Sequence, residues 1–212
     1  MSLLPLVTLR DVVRHLSQRG AARLAGTCRA LWHARAELLM YCGRPCVMRT
    51  LSGHTDGVRS VAWAPDGTRL ASASGDTSVR VWDVVTGRLI LTLAGHDMMV
   101  SSVASDGTRL ASADTTVRMW DAATGQLLHT LAGHTRWVCS VSWAPDGARL
   151  ASASNDETAR VWDALTGQLL HTLRGHMHWV LSVAWAPDGR RLASAASDQT
   201  VLVWDVPCCT HK

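Results

Sequence analysis

Gly133-His134-Thr135-Arg136-Trp137-Val138-Cys139-Ser140-Val141-Ser142-Trp143-Ala144-Pro145-Asp146-Gly147-Ala148-Arg149-Leu150-Ala151-Ser152-Ala153-Ser154-Asn155-Asp156-Glu157-Thr158-Ala159-Arg160-Val161-Trp162-Asp163 opens on Gly-His and closes on Trp-Asp. The pattern occurs four times. Gly-His recurs at His54, His96, His134 and His176, in steps of 42, 38 and 42, and Trp-Asp recurs at Trp82-Asp83, Trp120-Asp121, Trp162-Asp163 and Trp204-Asp205. Similarity at a fixed period of about 40 residues means one supersecondary unit repeated, with the units stacked to bury faces that none can bury alone.

The first copy shows what one unit is. Val58–Trp63 reads as a strand. It runs into Ala64-Pro65-Asp66-Gly67, where Pro presets φ, Asp bonds the turn backbone and Gly accepts the positive φ that follows. Strand Thr68–Ala73, a tight turn at Ser74–Thr77 and strand Ser78–Asp83 come next, and Val84–Gly87 turns the chain into Arg88–Leu93. Four short strands between turns make one antiparallel sheet.

Gly-His, Trp-Asp and this strand plan resemble the WD-repeat family over about residues 46–205. The resemblance implies a mainly β fold of propeller blades, in repeats at 51–83, 93–121, 131–163 and 173–205 within a unit spanning 44–206, with a tail at 207–212. It also implies a hydrogen-bonded set inside each blade: His54, Ser72, Asp76 and Trp82; His134, Ser152, Asp156 and Trp162; His176, Ser194, Asp198 and Trp204. A His, a hydroxyl, a carboxylate and an indole N–H can satisfy one another when buried. Ser, His and Asp recurring together also raises a catalytic triad. Copies at fixed spacing, and the lack of a Gly-x-Ser-x-Gly elbow, argue for a structural device and no catalytic residue.

The second copy departs from the pattern. His96 to Trp120 is 24 residues where the others have 28. Val103-Ala104-Ser105-Asp106-Gly107 has lost two residues and the Trp, and Ala111-Ser112-Ala113-Asp114 has lost two more. Even losses keep strand faces in phase, so the blade is expected to keep its fold with shorter hairpins, and its His96, Ser112, Asp114, Trp120 set to be the least regular. Cys46–Leu51 matches the outermost strand, Arg88–Leu93, while the fourth copy lacks that strand after Asp205. Residues 46–51 are therefore expected to close onto the last blade. A small closed ring, an open arc that pairs with another copy, and a piece of a longer protein all remain open, with the last two favoured.

Family resemblance places the binding face at the loops after Gly-His and between the second and third strands. The positions three and five after each His are Gly57 and Arg59, Met99 and Ser101, Trp137 and Cys139, Trp179 and Leu181. Arg59, Met99, Trp137, Asn155, Trp179 and Leu181 are the candidates for contact with a protein or peptide. Trp137 and Trp179 are not needed for strand alternation, and exposed Trp is typical of interaction hot spots. The alternative is that they cap blade edges.

Residues 1–43 read as short amphipathic helices. Leu9, Val12, Val13 and Leu16 follow the i, i+3, i+4, i+7 spacing, and Ala21, Leu24, Ala25, Cys28, Leu31 and Trp32 repeat it. Leu4-Pro5, Val12-Val13-x-x-Leu16, Ala21-x-x-Leu24 and Cys28-Arg29-Ala30-Leu31-Trp32 together resemble an F-box, although Gly20-Ala21 replaces the usual acidic-Leu pair. The resemblance implies that Leu4, Pro5, Val12, Val13, Leu16 and Leu24 meet a Skp-type adaptor. The same residues can instead pack only one another, or form an organellar presequence.

Charge divides along the same line. Residues 1–50 hold eight Arg and two acids, net +6; residues 51–212 hold thirteen Lys and Arg against fifteen acids, net −2. The basic character belongs to the N-terminal segment, where the Arg are dispersed, so nucleic acid is a weaker expectation than a solvated helix face. Twenty Arg against one Lys suggests a biased genome composition, which lowers the weight of Arg as a functional signal. No apolar run approaches the length of a membrane span. Six Cys without framework spacing or secretory signal point to reduced thiols in a cytoplasmic or nuclear setting. Cys42, Cys46, Cys208, Cys209 and His211 fall near the proposed seam but fit no metal-site spacing, and no cofactor is implied. The function expected is a non-enzymatic interaction scaffold, in its concrete form a substrate receptor of a cullin-type ubiquitin ligase. The alternative is a nucleic-acid-associated scaffold with a basic N-terminal helix.

Overall fold

A computed structural model describes residues 47–207. The chain divides into two compact units, residues 1–48 and 49–212, and the helical, F-box-like segment expected over 1–43 lies outside the described residues. In the second unit four sheets follow one another in chain order. The first holds β1 (Val58–Trp63), β2 (Arg69–Ser74), β3 (Val79–Asp83) and β4 (Leu89–Leu93). The second holds β5 (Ser102–Ser105), β6 (Arg109–Ala113), β7 (Val117–Asp121) and β8 (Leu127–Leu131). The third holds β9 (Val138–Trp143), β10 (Arg149–Ser154), β11 (Thr158–Asp163) and β12 (Leu169–Arg174), and the fourth β13 (Val180–Trp185), β14 (Arg191–Ala196) and β15 (Val201–Asp205). Every pairing is between neighbours in sequence and antiparallel.

The turn residues account for these hairpins. In the first hairpin Gly67 donates its N–H to Ala64 O at 2.9 Å with φ +68°, and Asp66 Oδ1 accepts from Thr68 N–H at 2.9 Å. The Asp of Trp-Asp caps the third turn: Asp83 Oδ1 accepts from Thr86 N–H at 2.6 Å, and Asp121 and Asp163 do the same with Thr124 and Thr166 at 2.7 Å. Three of the four β-hairpins that open the sheets carry a register shift, between Val58 and Ser60, between Ala153 and Ser154, and between Val180 and Ser182. The shortened second sheet has none there, and Val103 still faces Ser112 as Val61 faces Ser72, so the four missing residues leave its core face in phase.

Burial joins neighbours rather than filling single sheets. One cluster packs Ala71, Ala73, Val79 and Val81 of the first sheet with Val100, Val103, Leu110 and Trp120 of the second. The same positions join the second to the third through Met119, Val138 and Val141, and the third to the fourth through Val161, Val180 and Val183. Among the described residues the two end faces lack such a neighbour. Val58, Val61 and Trp63 are 51%, 58% and 56% exposed, whereas Val138 and Val141 in the same places are 0% and 6%. On the last sheet Val201 and Val203 are 64% and 67% exposed, against 1% and 0% for Ala159 and Val161.

The described part of the expected closing segment, residues 47–51, makes its contacts with the first sheet. Residues 47–51 form no strand and the fourth sheet has three. Arg49 donates instead to Thr86 O and Val85 O of the first sheet, at 2.9 and 2.6 Å.

Candidate functional site

The repeated polar residues converge inside each sheet. In the third, His134 Nδ1 lies 2.7 Å from Asp156 Oδ2, Nε2 lies 2.8 Å from Ser152 Oγ, and Trp162 Nε1 donates to the same Oγ at 2.8 Å. His54, Ser72, Asp76 and Trp82 repeat it, as do His176, Ser194, Asp198 and Trp204. An ionised carboxylate and an indole N–H each have one role, acceptor and donor. With a neutral imidazole, Nδ1–H donates to Asp, Nε2 accepts the serine O–H, and that oxygen accepts from Trp. The order of contacts is that of a triad. Yet the serine oxygen is held on both sides, and Ser72, Ser112, Ser152 and Ser194 are 4%, 0%, 0% and 1% exposed, which leaves no approach for a substrate. In the shortened second sheet Ser112 keeps its bonds to His96 and Trp120, and His96 Nδ1 meets Asp114 Oδ2 at 3.0 Å, the longest of the His–Asp contacts in the described sheets.

The Gly before His54, His96 and His134 has a steric cause. Gly133 sits at φ +152°, and a Cβ there would collide with the Arg160 guanidinium and touch the Trp162 ring. Only glycine allows both the backbone and the close approach.

These sets make stability depend on pH. Burial alone would push Asp76 up, but the Ser78 hydroxyl, His54 and the Thr55 N–H hold it well below the usual carboxylate range. Asp114 and Asp156 are lowered against burial in the same way, Asp114 by His96 and the Thr116 N–H, Asp156 by Thr158 and His134. Asp198 is lowered chiefly by the Thr200 hydroxyl. Burial pushes His134 down, against its bond to Asp156. For all five the unfolded chain binds protons more readily, so stability is lost as pH falls. The loss starts below about 6.5 for His134 and below about 4–5 for the carboxylates. Thermal unfolding between pH 8 and 3 should give a midpoint that is level at the alkaline end, declines gently from about 6.5 and drops steeply below about 4.5. A midpoint that rises toward acid contradicts the assignment.

The candidate binding positions lie at one end of the sheets, where the loop after Gly-His meets the turn between second and third strands. Gly75 donates to Gly57 O, Asn155 to Trp137 O and Ser197 to Trp179 O, at 2.9, 2.8 and 2.9 Å, so loop and turn are pinned together in three sheets. Arg59, Met99, Trp179 and Leu181 are exposed there, and Trp137 and Asn155 are half-buried. Trp179 is 43% exposed with the His178 ring 5.1 Å away. Cys139 Sγ donates to Asn155 Oδ1 at 3.0 Å, and burial pushes its thiol up. Ser101 is not free for a ligand, because its hydroxyl binds Ala113 O and Val138 O. Among the described residues no group of His, Cys, Asp and Glu could hold a metal, and no helix is long and apolar enough to cross a membrane.

Reading Arg as compositional noise missed a recurrent part. Arg109 on β6 lies over Trp143 at 4.6 Å and donates to Ala164 O and Gly147 O of the third sheet, at 3.2 and 2.6 Å. Arg149 on β10 lies over Trp185 at 4.8 Å and binds Val206 O and Gly189 O of the fourth. Arg69 reaches Ala122 O at 3.0 Å, beside a small cavity lined by Ser105 where the second copy lacks its Trp. A guanidinium can stack and donate through a fork at once, which Lys cannot do. The signal was in the sequence: an Arg opens the second strand of every copy.

Sequence comparison agrees with this architecture. The pattern of the family described as WD domain, G-beta repeat matches residues 45–83, 87–121, 125–163 and 167–205. Among curated proteins, the chain is 41% identical over 58 residues to Denticleless protein homolog of Danio rerio, covering 27% of this chain and 9% of that protein. It is 40% identical over 67 residues to Protein Notchless of Drosophila melanogaster, 29% of this chain and 14% of that one. Pre-mRNA-splicing factor PRP46 of Saccharomyces cerevisiae is 42% identical over 74 residues, 34% of this chain and 14% of the relative. The chain thus spans a small part of the length of the curated relatives it matches.

Proposed function

The chain belongs to the WD domain, G-beta repeat family, and we propose that it works as a non-catalytic scaffold that holds a protein or peptide on the loop end of its sheets. The observation that carries this is a row of loops bearing exposed Arg59, Met99, Trp179 and Leu181, the loop joined to its turn by a backbone bond in three of the four sheets. Pre-ordered loops lose little entropy on binding, and Trp is the residue most concentrated in hot spots. Trp137 and Asn155 border the same end and are assigned to the edge of the site. Peptides selected from a displayed random library on the full chain should bind Trp179→Ala at least tenfold more weakly, and bind Leu165→Ala, remote from these loops, as tightly as the parent. Equal binding by both variants removes the reading.

The finer form is a substrate receptor of a cullin-type ubiquitin ligase acting in the cytoplasm or nucleus, with Leu4, Pro5, Val12, Val13, Leu16 and Leu24 meeting a Skp-type adaptor. The F-box-like order of residues ahead of the repeats supports it. A purified Skp-type adaptor should retain the full chain, and less of a Leu16→Asp variant; no retention of the parent leaves only the scaffold. A second reading, a nucleic-acid-associated scaffold, draws on the net +6 of residues 1–50 and on the likeness to a splicing factor. It requires RNA or DNA affinity that falls steeply with salt.

A further inference from the structure

The two open faces are complementary halves of a junction whose Trp–Arg contact the chain already makes twice. Inside the chain, the Trp of one sheet slots against the Arg that opens the second strand of the sheet before it, as Trp185 does with Arg149. Trp185 Nε1 also donates to Ser142 O at 3.2 Å, as Trp143 Nε1 does to Ala104 O at 3.4 Å. At the open ends neither half meets a counterpart among the described residues. Trp63 is 56% exposed. Arg191, which among the described residues pairs with Asp188 of its own turn, is 62% exposed. Beside it is an open recess lined by Asp188, Arg190, Arg191, Val203 and Asp205; Arg191 and Val203 are the counterparts of Arg149 and Val161, which pack with Trp185.

The segment before the first sheet matches as well. Leu91 packs on Gly125 of the next sheet, and His129 packs on Gly167 and bonds Leu165 O at 3.0 Å. Arg49, at the same place in the repeat, packs on Gly87 and bonds the carbonyls of Val85 and Thr86. Arg49–Leu51 thus lie where the outer strand of a preceding sheet would run, and the fourth sheet lacks one outer strand.

We infer that a second copy of this chain fills this junction head to tail. Its fourth sheet docks on the exposed face of the first, its Arg191 under Trp63, and residues 49–51 add to its β15. By the register of Val79 with Leu93 and Val81 with Leu91, Leu51 stands opposite Val201 and Arg49 opposite Val203. Trp63 Nε1 donates to the second copy's Ala184 O, and its Arg191 donates to Val84 O and Gly67 O. The occupant is a copy of this chain because its own fourth sheet offers the Arg fork at Arg191, the exposed Val201 and Val203, and a three-strand sheet short of one edge in this register. The contact is heterologous, so each copy uses both ends, and two copies of four sheets close a ring of eight, within the range of about 4–8 blades that propellers use.

Sedimentation of the full chain tests this. The expected species has twice the chain's 22.9 kDa. Val61→Asp disables one face and Val203→Asp the other; both sites are exposed, so the fold tolerates the charge. Each variant alone should run as a monomer, and mixing the two should restore the dimer through the one intact junction, which misfolded variants could not do. A monomeric parent overturns the proposal, as do variants that stay dimeric, a mixture that stays monomeric, or an open-ended ladder of masses. A monomeric parent is also the result expected if another part of this chain or a foreign protein covers the faces.

Discussion

Trp162→Ala lowers the free energy of unfolding by about 3–5 kcal/mol, as burying and then emptying a Trp site does elsewhere. The side chain is 2% exposed and is among the largest fully buried in the described residues. Its loss opens a cavity in the cluster shared with Met119 and Val138 of the neighbouring junction. It also removes the N–H that Ser152 accepts at 2.8 Å, and the Arg160 guanidinium, 6.0 Å from the ring centroid, loses its surface. Trp204→Ala breaks the same bond to Ser194, but that ring is half-exposed on the open last sheet, so its loss should be clearly smaller. Urea unfolding followed by circular dichroism compares them. Equal losses would mean that the hydrogen bond, and not packing between sheets, sets the value of the Trp.

Arg149→Ala should cost about 3 kcal/mol, because the carbonyls of Val206 and Gly189 lose a charged donor and the Trp185 ring loses its cover. Arg149→Lys should recover little, since an ammonium cannot fork to two carbonyls while lying flat on the ring. Arg191→Ala, at the same place in the next copy, should change the unfolding of the dilute monomer by no more than about 0.5 kcal/mol, as an exposed surface change. Among the described residues its guanidinium meets Asp188 of its own turn. The contrast separates position in the fold from residue type: identical costs at the two sites would refute the role of the fork between sheets.

Much of the fold can be read from spacing alone, because each sheet is closed by local turns. Asp66-Gly67, the Asp of Trp-Asp and Gly87 make their hydrogen bonds within a few residues. Even the short second copy was legible, since removing residues in pairs preserves strand phase. The polar sets were legible because four copies place His, Ser, Asp and Trp at one register. The partial exposure of Trp137 was not, nor the use of Ser101 as a bridge to Val138 O. Both depend on what the adjacent sheet puts beside them, and a repeat pattern treats all copies alike.

The sequence by itself determined the repeat, the strands, the turns and the residues that fasten each sheet, all of which rest on short-range geometry. Only the tertiary structure decided that the row stays open, that Arg49 lies against the first sheet, and that Val61 and Val203 are bare while their counterparts are buried. The physical reason is that burial of a blade face belongs to a pair of sheets. The same Val is core or surface according to whether another sheet stands in front of it.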